Sequence, residues 1–186
     1  MTKIFLDTEF TGLHKNTTLI SIGLISECGK TFYAELTDYD KSQIDEWLEK
    51  NVIANLILPR AGEMPMQAIM HDDKYYDFYH KGAKSEIAQS LKTWLSHFGK
   101  VMMVSDCLAY DWVLFNDIFG HAFSIPENVY YIPMDLSTLF YAKAIDPDIS
   151  REEFINHSIE GEKHNALYDA KVIKACFEKL NTEEFQ

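Results

Sequence analysis

The 186-residue sequence is poor in cysteine, with only Cys28, Cys107 and Cys176. They are far apart, odd in number and form no CxxC pair. That argues against a disulfide framework and against a zinc knuckle, and it fits a reducing, cytoplasmic setting. Long hydrophobic runs are missing too. No apolar stretch approaches the roughly 20 residues a membrane-spanning helix needs, so no membrane partner is expected. The N-terminus has one Lys and then an acidic strand, without the basic region and apolar run of a signal peptide. Positive charge is scarce: 17 Lys and Arg face 29 Asp and Glu, for a net charge of −12. A protein that grips nucleic acid through a broad basic surface would not look like this. An enzyme that meets phosphates through bound metal ions still could. Internal repeats, low-complexity tracts and a clean domain boundary are also absent.

What is present is an ordinary globular composition, 47% hydrophobic and 25% charged. The length suits one domain, residues 1–186, large enough to bury a core without staples. Lys3 to Asp7 reads as a strand. Leu19 to Ser26 ("LISIGLIS") alternates with period two, and "TFYAEL" follows a short Gly-containing turn, so the first three strands form an antiparallel meander. Ile44 to Leu58 reads as a helix with Trp47, Leu48 and Val52 facing inward. Pro59 to Lys84 is irregular and is read as a loop or insertion near the site. Ser85 to Phe98 is helical in period, with Ser85 as cap and Gly99 as stop. Val101 to Ser105 and Val129 to Ile132 read as strands, and Asp111 to Phe119 and Leu136 to Lys143 as helices. Asn165 to Leu180 is a final amphipathic helix. The expected architecture is α/β, with a mixed sheet of about five strands, a meander followed by strands four and five, flanked by helices.

Asp7 and Glu9 lie two apart near the end of the first strand, so they share a face. Two adjacent carboxylates repel unless something positive lies between them. The pair alone reads equally as a solvated strand end or a metal site. Asp111 opens a helix just after a buried strand, where it serves as an N-cap, as a ligand, or as both. In "HNALYDA", Asn165 is the expected N-cap. His164 then precedes the helix and Asp169 lies one turn inside it. Taken singly, these are a surface His and an Asp that favours the helix dipole. Taken together, four carboxylates fall at strand ends or helix starts, which converge on one edge in sheets of this kind. Oxygen-only ligands select Mg²⁺ or Mn²⁺, and two such ions about 3.5–4 Å apart form a clamp for displacement at phosphorus. His164, with an ordinary pKa of about 6.5, can accept a proton from an attacking water.

Three stretches carry a resemblance. "DTEFTG" resembles the first motif of the DEDDh exonucleases, the DnaQ-like branch of the ribonuclease H-like fold. "YDWVLF" resembles the second, and "HNALYD" matches the third, HxAxxD. The DEDDy branch would place Tyr where Asn165 stands. Within the branch, "DTEF", "ISIGLIS", "GKTFYAEL", "W…NVIANL" and "YDW" are similar to a small bacterial family of 3′–5′ exoribonucleases. The resemblance implies an RNA substrate with a free 3′ end and two divalent ions. Asp7, Glu9 and Asp169 would bind the first ion, with Asp7 bridging to a second held by Asp111. His164 would be the general base. Thr8, Phe10, Thr11 and Leu13 would lie along the terminal nucleotide. It also implies a possible homodimer. One departure concerns the second motif. Many relatives carry His-Asn five and four residues before its Asp, where this chain has Asp106 and Cys107. Asp106 is therefore an additional candidate for a substrate or metal contact, with Asp111 preferred. The same chemistry on DNA, and a binding module that has lost catalysis, are the competing readings. "DDKYYDFYHKGAK" offers aromatics and lysines that could stack on bases and meet phosphates, or simply pack onto the fold.

Overall fold

The computed structural model describes residues 1–58, 69–71 and 75–182. Its seven strands are β1 (Thr2–Phe10), β2 (Leu19–Ser26), β3 (Thr31–Leu36), β4 (Ile69–His71), β5 (Tyr75–Gly82), β6 (Val101–Ser105) and β7 (Met134–Asp135). They form one mixed sheet in the order β4-β5-β3-β2-β1-β6-β7. The meander of β1, β2 and β3 is antiparallel as expected, and β6 joins β1 in parallel. The helices are α1 (Glu46–Asn51), α2 (Lys84–Leu95), α3 (Ala109–Ile118), α4 (Leu136–Ala142), α5 (Arg151–Phe154) and α6 (Ala166–Leu180).

The strands differ from the expected five in two places, the first of which raises the count to seven. First, part of the stretch read as a loop is strand: β5 pairs in parallel with β3 and antiparallel with β4. Its Lys81 sits in a β-sheet because the buried Glu35 of β3 receives it at 2.7 Å. Residues 59–68 and 72–74 lie outside the described residues. Second, the expected strand at Val129 to Ile132 is reduced to a single bridge between Val129 and Val101. The paired strand there is β7. The expected long helix at Ile44 to Leu58 is also broken. It runs as α1 and then a short 3-10 turn, Ile53–Asn55. Asn51 and Asn55 explain the break, because their side-chain amides donate to the carbonyls of Trp47 and Asn51. Such local bonds compete with helix continuation.

The core lies on both faces of the sheet. Ile4 and Leu6 of β1 pack with Ile87, Leu91 and Trp94 of α2 and with Leu114 and Phe115 of α3. Phe5 points the other way and packs with Phe140, Ile173 and Phe177 of α4 and α6. Period-two alternation then fixes the rest of β1. Thr8 falls on the α3 side with Ile4 and Leu6. Asp7 and Glu9 fall on the α6 side with Phe5.

Candidate active site

Helix α6 brings the third acid to that face. Asn165 caps it, its side-chain oxygen accepting from the Tyr168 N–H at 3.2 Å. The buried stripe Ala170, Ile173, Phe177 and Leu180 then lays the helix over β1 and β2. Close approach is possible because Gly23, the register partner of Asp7, has no side chain. A Cβ there would stand 2.3 Å from the backbone of Ala166 and Leu167. The result is that Asp7, Glu9 and Asp169 offer carboxylate oxygens within 4.8 Å of one another.

These three acids line a cleft of about 720 Å³ together with His164, Phe10 and Leu13. Among the described residues no salt bridge reaches any of the three. Burial pushes Glu9 up to about 8, helped by the charges of Asp169 and Asp111. Burial likewise raises Asp7 well above the usual carboxylate range, with Asp111, Asp169 and Glu9 adding to it. Asp169 rises to about 7 through burial, against a 2.9 Å hydrogen bond from the His164 N–H. Desolvated, mutually repelling oxygens of this kind are stabilised by protons or by positive charge placed among them.

Asp111 is separate from this cluster. It lies inside the first turn of α3, and Leu108 occupies the cap position, so the cap reading fails. Its Oδ1 accepts from the Thr8 N–H at 3.1 Å and the Thr8 hydroxyl at 2.5 Å. Its Oδ2 accepts from the Ser105 hydroxyl at 2.5 Å. Burial raises it to about 6 while these bonds pull it down. Asp106 is engaged elsewhere, gripped by Arg151 at 2.7 Å and by the Ser137 hydroxyl at 2.7 Å. Asp106 lines the cleft with its carboxylate taken up by that pairing.

The other candidates divide. Phe10 stacks on Tyr110 with ring centroids 5.3 Å apart. Leu13 is 78% exposed at the cleft. The Thr11 hydroxyl turns inward to Gln43 Oε1 at 2.5 Å, and it ties Thr17 and Thr18 as well. His164 precedes α6 at a positive φ of 63°. Burial and the neighbouring Lys163 lower its pKa, against an upward pull from Glu152. The sequence missed Trp47, read as core. It is 53% exposed, lines the cleft and sets its ring edge on His164 at 5.1 Å. Of the aromatic and lysine cluster, Phe78 stacks on Phe32 at 5.3 Å and Tyr79 leans on Tyr33. Lys81 and Lys84 are bridged to Glu35 and Asp117. These members pack onto the fold, while Lys74 and the side chains of Tyr75 and Tyr76 lie outside the described residues.

The sheet order and helix layers define a ribonuclease H-like α/β fold. The same fold occurs in Schizosaccharomyces pombe Pop2p in its Mg²⁺- and Mn²⁺-bound form, at TM-score 0.61 and 16% identity, covering 98% of this chain and 84% of that one. It occurs in a 3′-exonuclease solved in 3′-end-specific recognition of a histone mRNA stem-loop, at TM-score 0.52 and 11% identity, covering 96% and 63%. The family model of the 3′-5′ exoribonuclease Rv2179c-like domain matches residues 2–180, and the chain belongs to that family. The 3′-5′ exoribonuclease Rv2179c of Mycobacterium tuberculosis is 35% identical over 57 residues, which are 31% of this chain and 34% of that protein. The match thus spans about a third of the curated relative's length. Among the described residues no helix is long and apolar enough to cross a membrane.

Proposed function

We propose that this protein is a metal-dependent 3′–5′ exoribonuclease that cleaves the terminal phosphodiester and releases nucleoside 5′-monophosphates. The observation that carries the reading is the convergence of Asp7, Glu9 and Asp169 within 4.8 Å, with no salt bridge to them among the described residues, on a cleft that also holds His164. Their raised pKa values and all-oxygen chemistry fit a hard divalent cation, Mg²⁺ or Mn²⁺. Asp7, Glu9 and Asp169 would hold one ion, and Asp111, whose carboxylate keeps lone-pair capacity beyond its three hydrogen bonds, would serve a second through water. When bound, such ions supply positive charge to the attacking and leaving oxygens of a phosphodiester.

The chain's own residues do the rest. His164 has its pKa lowered, so its imidazole is neutral near pH 7 and can take the proton of the attacking water. Phe10, backed by Tyr110, and the exposed Leu13 offer an apolar wall for the terminal base. Family membership supports RNA over DNA. The exposed free Cys28 and Cys107 fit a reducing cytoplasm.

The test is a time course on matched 5′-labelled RNA and DNA oligonucleotides in Mg²⁺, Mn²⁺ or EDTA. A ladder shortening from the 3′ end, faster on RNA and stopped by EDTA, is expected. A faster DNA ladder would replace the sugar assignment. Intact substrate in both metals would favour the binding module. His164→Ala should lower turnover by about 10²–10⁴-fold with Mn²⁺ affinity retained. Equal loss of both would make His164 a ligand.

A further inference from the structure

We infer that Asn55 is the positioning residue for His164. This rests on the general-base role proposed above. His164 has a left-handed backbone conformation, φ of 63°, that is uncommon outside Gly, although His takes it more readily than most residues, and it is kept where the surroundings hold it. Its own N–H is bound to Asp169, one of the acids of the cluster. The residues on either side of it, Lys163 and Asn165, are both tied to Asn55. The Asn55 side-chain amide donates to the Lys163 carbonyl at 2.8 Å. The Asn165 side-chain amide donates back to the Asn55 carbonyl at 2.9 Å. The two bonds form a reciprocal latch across His164.

Asn55 is itself anchored. The same amide donates to the Asn51 carbonyl at 2.7 Å, at the last residue of α1, so both of its donor hydrogens are used. Trp47, on α1, sets its ring edge against the imidazole. The segment from Trp47 to Asn55 therefore fixes the His164 backbone from both sides and touches its ring from a third. Asn165 has a second duty as the cap of α6. Removing the Asn55 side chain breaks its bonds to the Lys163 and Asn51 carbonyls and leaves the α6 cap and the bond from Asn165 to the Asn55 main-chain carbonyl in place, so it tests the Lys163 side of the latch.

A general base acts only when its ring is held within hydrogen-bond reach of the water it deprotonates, and misplacement by about 1 Å costs on the order of 10²-fold. Asn55→Ala should lower kcat by roughly 10–100-fold while KM and Mn²⁺ affinity stay within about twofold. Amide hydrogen exchange at His164 in the metal-free protein should quicken. Asn55→Asp keeps the size and loses the donors, and should match the alanine variant. The double variant Asn55→Ala/His164→Ala should be no slower than His164→Ala alone, because the latch acts through that ring. Four results would overturn the inference: wild-type kcat in Asn55→Asp while His164→Ala is slow; multiplicative losses in the double variant; a parallel collapse of Mn²⁺ affinity; or unchanged exchange at His164. A wild-type rate in His164→Ala would end the base reading itself, and the inference with it.

Discussion

In the proposed site, Asp7 would serve function against stability. Its carboxyl is raised well above the ordinary range by burial and by Asp111, Asp169 and Glu9. Deleting it relieves repulsion in the metal-free protein. Asp7→Ala should therefore abolish turnover while the melting temperature in EDTA stays level or rises. A variant with wild-type activity would remove Asp7 from the site, and a large fall in melting temperature would make it a structural residue. The convergence of Asp7, Glu9 and Asp169 was legible because strand alternation and helix starts are local properties of sequence. The fate of Asp106 was not, since its partner Arg151 comes from α5, 45 residues later. Nor was the exposure of Trp47, because an apolar period records which face a residue occupies and not whether another element covers that face.

Gly23 does for the elements what Asp7 does for the residues. It lies on β2 opposite Asp7, at the point where the start of α6 crosses the sheet. Gly23→Ala would drive a methyl into the backbone of Ala166 and Leu167, which cannot move aside as a side-chain tip can. Destabilisation of about 3 kcal/mol is expected by denaturant unfolding, at the upper end of overpacking costs. Activity should fall further than stability, because the displaced helix start carries Asp169. Retention of both would mean that α6 is not set by this contact. The meander, α2 and α6 were readable because each keeps its own hydrophobic period. β5 was not, since its Lys81 makes sense only beside Glu35 of β3. The break after α1 was missed because it depends on two Asn side chains bonding carbonyls four residues back.

At the scale of the whole molecule, the acid cluster, with the metal role proposed for it, should make stability depend on pH and metal together. Glu9 sits at about 8 in the folded protein against an ordinary 4.5, and Asp169 at about 7 against 3.8. The folded state thus holds protons that the unfolded chain has already released. Stability from these groups is complete below their ordinary values and is lost as pH rises through the folded ones. In EDTA the melting temperature should fall between about pH 5 and about pH 8. A divalent ion bound as proposed would take the protons' place, and a ligand at a hundredfold excess over its Kd adds about 2.7 kcal/mol. The melting shift caused by Mn²⁺ should therefore grow with pH and vanish in Asp7→Ala. The net charge of −12 could also weaken the fold at high pH, but surface repulsion is screened by salt and a buried cluster much less so. A pH-dependent Mn²⁺ shift that survives high salt would belong to the cluster. A shift that is equal at both pH values, or that persists without Asp7, would mean that the ion binds somewhere else.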